Sequence, residues 1–425
     1  MTAPKEKTPE EKEPPKPEPN LGPNLGPRPL ALHLAAQTLA MMGSLTALPL
    51  LRSGSLSWNP GLGTAAEALN EAIAKADPEA FARAVQEEAF RRLDAFSAGV
   101  RLYQSAVRPP RPPEPPAIWR SGAARLLDYG ADADADAPVV LVVPSLVNRY
   151  YVLDLAEDRS LMRDLAARGF RPLMLDWGEP GTEERRYTLT DYVTGPLQGA
   201  FEEARALGKR PPAVIGYCMG GDLALALAAR NRGRIGALAL LATPWAFQAG
   251  QEANLPWLAA AAPGLSAMIQ ALGVMPIDLL QAMFAGLNPG GVGDKFRQFA
   301  AVAANSDKAR EFVRLEDWLN DGVPLAGPVA EECLFQWYLE DTPAKGEWRI
   351  AGAPVEPREI DAPTLVVVPR DDYIVPPESA KPLARLIPGA RLKTVKAGHI
   401  GMAAGRRARS LLYTPLAGWL AKALN

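Results

Sequence analysis

The fold turns on Ala213-Val214-Ile215-Gly216-Tyr217-Cys218-Met219-Gly220-Gly221-Asp222. Residues 213–215 form a short apolar run, as a buried strand does. An alanine- and leucine-rich run over 222–229 predicts a helix. Between them stands Gly-x-Cys-x-Gly, centred on Cys218. Small residues two before and two after a residue on so sharp a turn let the backbones pass, which suits a nucleophile presented between strand and helix. The helix aims its first amides at that residue, favouring a thiolate and supplying one donor to an oxyanion. The plainer reading is a buried free cysteine in a glycine-rich turn. A base and an acid further along the chain decide between the two.

Working outward, apolar runs recur in alternation with helical patterns. Strands are expected at 139–143, 172–176, 213–215, 238–241, 364–368 and 391–395, with helices over 158–168, 191–207, 222–229 and 378–386. This β-α-β order predicts a doubly wound, mostly parallel sheet of the α/β class. Residues 124–129 read as an edge strand, and 131–137 as a solvated acidic loop. After Thr243-Pro244 the alternation stops, and 245–357 reads as an inserted helical cap without strands. Cys333 falls there and reads as a buried apolar cysteine. Residues 409–425 read as a closing amphipathic helix.

The chain carries only two histidines, His33 and His399. His399 follows the last strand in Gly398-His399-Ile400-Gly401, and Asp371-Asp372 follows the strand before it. The order nucleophile, acid, histidine is that of the α/β-hydrolase fold. Cys218, His399 and Asp372 are therefore the expected catalytic residues, with His399 as base and Asp372 steadying its ring. Asp371 is the rival acid and reads instead as a turn cap. A thiolate exchanges readily with thioesters, so cysteine suggests acyl transfer from a thioester.

Composition narrows the rest. The net charge of −2 argues against nucleic acid as a partner. Two cysteines fit a reducing compartment, and too few histidines remain for a histidine-rich metal site. The N-terminus has no signal-peptide pattern, so a cytoplasmic location is expected. Residues 1–29, dense in Pro, Lys and Glu, read as a disordered tail. Residues 30–107 read as a helical N-terminal region, broken at Asp77-Pro78. Within it, 30–51 carries no Asp, Glu, Lys or Arg. A membrane span, a surface-lying helix and a helix packed on the protein are the alternatives; His33, Gln37, Thr38, Ser44, Thr46 and Pro49 argue against the span. His33 reads as structural. Residues 108–116 read as a polyproline linker and domain boundary, with the catalytic core over 117–244 and 358–425.

Several motifs in order resemble polyhydroxyalkanoate (poly-3-hydroxybutyrate) synthases, above all the short type that works with a helper subunit. They are Val147-Asn148-Arg149-Tyr150-Tyr151-Val152-Leu153-Asp154-Leu155, Leu175-Asp176-Trp177-Gly178, Thr190-Asp191-Tyr192, Gly216 to Gly221, Asp372-Tyr373-Ile374-Val375-Pro376 and Gly398 to Gly401. The resemblance implies an acyltransferase that polymerises (R)-3-hydroxyacyl-CoA through an acyl group on Cys218. It carries the family's histidine and aspartate onto His399 and Asp372. It implies oxyanion donors at the Met219 amide and near Val147, and no metal or cofactor beyond CoA as leaving group. The expected partners are the acyl-CoA, the polyester chain, a granule surface, and a second copy or a helper subunit. Trp318 resembles a cap tryptophan of the family only weakly, and core packing is its plainer role. Two departures stand out. The long N-terminal region is foreign to the short type, and Tyr373 replaces a histidine common after the aspartate, which would bear on substrate choice. A thiol-dependent depolymerase or thioesterase, and a catalytically silent granule protein, are the alternatives.

Overall fold

The computed structural model describes residues 26–56, 58, 62–304 and 306–425; residues 1–25 of the expected tail lie outside them. The architecture is an eight-stranded sheet flanked by helices, with a cap inserted before its last two strands and helices ahead of the sheet. The strands are β1 (Ala117–Ser121), β2 (Ala124–Asp128), β3 (Val139–Val143), β4 (Arg171–Asp176), β5 (Ala213–Tyr217), β6 (Ala237–Leu241), β7 (Thr364–Pro369) and β8 (Arg391–Val395). Their spatial order is β1-β2-β4-β3-β5-β6-β7-β8. From β4 to β8 every neighbouring pair is parallel, while β1 and β2 run antiparallel.

Residues 124–129 were expected at the edge; β2 is instead covered by β1, which pairs Ser121 with Ala124. Gly122, with φ of +55°, makes the tight turn between them. The expected helix over 158–168 is shorter. Arg159–Ser160 pairs back onto Asp154–Ala156, and the helix Leu161–Ala166 starts where the Ser160 side chain accepts from the Arg163 N–H at 2.9 Å.

Helices α1 (Leu30–Arg52), α2 (Gly63–Lys75) and α3 (Pro78–Ser105) precede the sheet. The break between α2 and α3 follows Asp77, whose side chain accepts from the Ala80 N–H at 2.8 Å, with Pro78 in the first turn. One element differs from expectation. Residues 26–29 belong to the fold rather than the tail, because Arg28 pairs with Asp278 and its N–H donates to Asn320 Oδ1 at 3.0 Å. Along α1 only His33 is buried, so the helix rests on the protein without being packed into it.

The cap contains Leu255–Leu272, Ile277–Leu287, Gly291–Ala300, Asp307–Asn320, Gly327–Glu331 and the π-helix Glu332–Leu339. It also holds two short ladders missed by its helical pattern: Val274–Met275 with Leu325–Ala326, and Arg349–Ile350 with Ala353–Pro354. Two apolar clusters fill the two sides of the sheet. A third joins Phe96, Val100 and Tyr103 of α3 to Phe296, Phe299 and Val313 of the cap. The proline-rich segment therefore does not separate two independent cores. It lies on the catalytic core, with Arg111 3.6 Å over the Tyr151 ring and Glu114 2.8 Å from Arg125.

Candidate active site

At the C-terminal end of β5 the chain turns into the helix Met219–Arg230 through Cys218, which adopts φ +55° and ψ −132°. A non-glycine residue held there stores strain that only a tightly determined surround sustains. Its neighbours supply that surround. A Cβ on Gly216 would lie 2.4 Å from the Gly221 Cα, and one on Gly220 would lie 2.3 Å from the Val143 carbonyl oxygen. The Cys218 N–H donates to the Leu241 carbonyl at 2.9 Å, tying the turn to the next strand. Cys218 is half-buried.

His399 starts a short helix after β8, and Asp372 lies in the turn after β7. The His399 Nδ1–H donates to Asp372 Oδ2 at 2.7 Å. The other carboxylate oxygen accepts the Ile374 and Val375 amides, each at 2.9 Å. Asp371 is exposed, whereas Asp372 is buried. The Tyr217 hydroxyl donates to the His399 carbonyl at 3.3 Å, fixing the histidine loop from below. Burial alone would lower the His399 pKa, but the charges of Cys218 and Asp372, with hydrogen bonds to both, raise it to about 10. The structure thus brings Cys218, His399 and Asp372 together from three separate stretches of chain.

The two expected amide donors differ. Met219 opens its helix, so its N–H has no acceptor within the helix. The Val147 N–H is turned to Ser145 Oγ at 3.1 Å, so the loop engages this donor itself. The cause is local: a serine two residues earlier closes a hydroxyl turn.

Cys218, His399, Met219 and Val147 line a cavity of about 640 Å³ whose walls are mostly apolar. Cap helix Ile277–Leu287 supplies Leu279, Leu280, Met283 and Phe284 to it. Trp318 also lines it, and its indole N–H donates to the Arg149 carbonyl at 2.8 Å. Tyr373, expected to bear on substrate choice, is 67% exposed and stands outside the lining. Among the described residues no group of His, Cys, Asp or Glu is arranged to hold a metal.

Three residues went unsuspected in the sequence. Cys333 is buried as expected, yet it lines the same cavity as Cys218, and burial pushes its thiol pKa well up. Tyr338, on the same π-helix, also faces the cavity, where burial raises its pKa and keeps it a neutral phenol. Asp222 is fully buried in the first turns of the elbow helix, and neither carboxyl oxygen has a hydrogen-bond partner. Burial, then the nearby charge of Cys218, raises its pKa far above the carboxylate range, so it is held as the neutral acid. Only its position four residues after Cys218 hinted at it; nothing local marked Cys333 or Tyr338.

Residues 138–404 match the model of the alpha/beta hydrolase fold family. The chain is 29% identical over 310 residues to the "Poly(3-hydroxyalkanoate) polymerase subunit PhaC" of Haloferax mediterranei, covering 72% of this chain and 63% of that protein. It is 30% identical over 316 residues to the protein of the same name in a Synechocystis strain, covering 72% of this chain and 84% of that one. The chain thus spans rather less than two thirds of the haloarchaeal relative. Among solved structures, a thermophilic esterase from Thermogutta terrifontis aligns with a TM-score of 0.43 at 19% identity, over 75% of this chain and 100% of that one. The chain has an α/β-hydrolase fold and belongs to the polyhydroxyalkanoate synthase family.

Proposed function

We propose that this protein joins (R)-3-hydroxyacyl groups from CoA thioesters into a polyester, through an acyl group carried on Cys218. The observation that carries the reading is the meeting of Cys218 with the His399–Asp372 pair at the floor of a largely apolar cavity. With Nδ1 engaged by Asp372, the free Nε2 of His399 is the nitrogen that takes the Cys218 proton. The sulfur attacks the thioester carbonyl, and the oxyanion forms beside the Met219 amide. The carbon–sulfur bond to CoA breaks, and CoA leaves with the proton from His399. A 3-hydroxyl then gives its proton to His399 and attacks the acyl-cysteine. An ester bond forms and Cys218 is released. The Val147 amide would serve as second donor once the Ser145 hydroxyl turns away.

The apolar walls favour an alcohol over water as the acceptor, because they solvate an aliphatic chain and exclude water. This separates a synthase from a depolymerase or thioesterase using the same three residues. The word "subunit" in the relatives' names supports a helper subunit as partner. The test incubates the purified protein with (R)-3-hydroxybutyryl-CoA, then with a medium-chain homologue, following free CoA and product size. CoA release with growing insoluble polymer is expected, and Cys218→Ala should abolish both. CoA release with only free hydroxy acid would establish a hydrolase. No release from either substrate, with or without a helper subunit added, would favour a silent granule protein.

A further inference from the structure

Between the end of β3 at Val143 and the turn Tyr150–Leu153 the chain forms neither helix nor strand, yet it carries Val147 into the wall of the catalytic cavity. An oxyanion donor lowers a barrier only when it is held in place before the charge develops. What holds this loop is the cap. Asn148 pairs with Gly322 as an antiparallel bridge, and the Gln281 side-chain amide donates to Asn148 Oδ1 at 3.4 Å. The Trp318 indole N–H donates to the Arg149 carbonyl at 2.8 Å.

Asp321 makes the charged tie. It follows the cap helix Asp307–Asn320, and its N–H donates to the Asp317 carbonyl at 2.9 Å. One carboxylate oxygen accepts the Arg149 Nε–H at 3.0 Å, and the other accepts the Tyr151 hydroxyl at 2.8 Å. The carboxylate therefore grips the loop at two residues, the nearer only two positions after Val147. Hydrogen bonds to a charged group are shorter and stronger than neutral ones. The Asp321 and Arg149 side chains are 18% and 24% exposed, so water competes little for them. The end of the helix is braced in turn from the N-terminal side. The Tyr103 hydroxyl donates to Asp317 Oδ1 at 2.6 Å, and Arg108 Nε lies 3.2 Å from the same oxygen.

We propose that Asp321 is a positioning residue for acyl transfer: from the cap it fixes the backbone around Arg149 and Tyr151, and through that backbone the Val147 amide that meets the oxyanion. The proposal deepens the functional reading above and rests on its assignment of Val147 as second donor. Because the tie runs from cap to core, the donor is set by the seat of the cap. Acyl transfer is thereby confined to the covered, apolar cavity, where an acyl-cysteine is kept from water. Attack on an acyl carbonyl needs the donor, since negative charge builds on oxygen. Alkylation of the same sulfur by iodoacetamide does not: a carbon–sulfur bond forms, the carbon–iodine bond breaks, and iodide carries the charge away. The two reactions separate the donor from the nucleophile.

The experiment compares full-length wild type with Asp321→Ala, Asp321→Asn and Tyr151→Phe; the last removes one hydroxyl and keeps the ring beneath Arg111. Acylation is read as CoA release from (R)-3-hydroxybutyryl-CoA and as nitrophenol release from p-nitrophenyl butyrate. Alkylation by iodoacetamide is read at Cys218 by peptide mass. In Asp321→Ala acylation from both donors is expected to slow by about 100-fold, the cost of a small misplacement of a reacting group. The loss should fall on kcat, with KM and the alkylation rate within about threefold of wild type. Tyr151→Phe should lose about tenfold in acylation, and Asp321→Asn, which keeps one acceptor, should fall between wild type and Asp321→Ala. Acylation and alkylation slowing together would overturn the proposal, as would unchanged acylation or a rise in KM alone. Should Asp321→Ala fail to fold, the two milder variants decide by the same comparison. Wild-type acylation by the ester and none by the thioester would bring down the synthase reading, while the ester comparison still decides the role of Asp321.

Discussion

Asp372→Asn perturbs one atom and leaves the shape of the site intact. In the native site one carboxylate oxygen takes two backbone amides, while the other receives the His399 Nδ1–H at 2.7 Å. An asparagine oxygen can keep the two amides. Its NH₂ then faces Nδ1, where a donor meets a donor, and the ring must change tautomer or turn. A hydrogen bond to a charged group contributes about 1.5–3 kcal/mol. Losing it from the transition state corresponds to about a 10- to 150-fold fall in kcat. A second readout follows from linkage. The His399 pKa is raised to about 10, so the stabilisation from its charged form is full below the unfolded value near 6.5. It is lost as pH rises from there through the folded value. The urea-midpoint gap between wild type and Asp372→Asn should therefore be widest near pH 6 and close toward pH 10. The assay is CoA release in parallel with urea melts at several pH values. A fall in kcat of less than threefold, or a stability gap that widens with rising pH, would refute the reasoning.

Other outcomes follow from the same site. Gly220→Ala would place a methyl 2.3 Å from the Val143 carbonyl and 2.4 Å from that of Pro144, so thermal melting should show a loss of about 1–3 kcal/mol or more. Asp222 has a raised pKa, so its contribution is full below the unfolded value and lost as pH rises above it. Asp222→Asn removes that loss and should be more stable than wild type at pH 8, with the advantage shrinking toward pH 4. A variant less stable at pH 8 would show that the carboxyl has an ionic partner. Ser145→Ala frees the Val147 amide, so kcat should hold or rise. A tenfold fall would assign the hydroxyl a direct role in the reaction.

What was legible in the sequence was what neighbouring residues determine. The buried parallel strands show as unbroken apolar runs, and the elbow shows because its Gly-x-Cys-x-Gly spacing is a local pattern, even though Gly220 is demanded by the distant Val143 and Pro144 carbonyls. The placing of His399 and Asp372 followed from strand order. Non-local features stayed hidden. The strand Ala117–Ser121 owes its existence to pairing with Ala124–Asp128, and its own residues marked no strand. Cys333 reaches the cavity only because the cap folds over the sheet. The exposure of α1 depends on which neighbours fail to cover it, and its own sequence is silent about that. The Val147 amide lay within reach of local reasoning, but the choice between an oxyanion and the Ser145 hydroxyl is made by loop geometry.

The core shared by α3 and the cap bears on how this protein should be handled. Phe96, Val100 and Tyr103 cover Phe296, Phe299 and Val313, yet α3 lies well upstream of residues 138–404 matched by the fold family. A fragment trimmed to that match would keep six of the eight strands with Cys218, Asp372 and His399, would lose β1 and β2, and would bare two phenylalanines and a valine on the cap. Poor solubility of such a fragment would then reflect the missing helix, the missing strands β1 and β2 and the missing C-terminal helix Thr414–Ala423, and not a fault in the arrangement of Cys218, Asp372 and His399. Expression boundaries that begin ahead of Pro78 keep that surface covered.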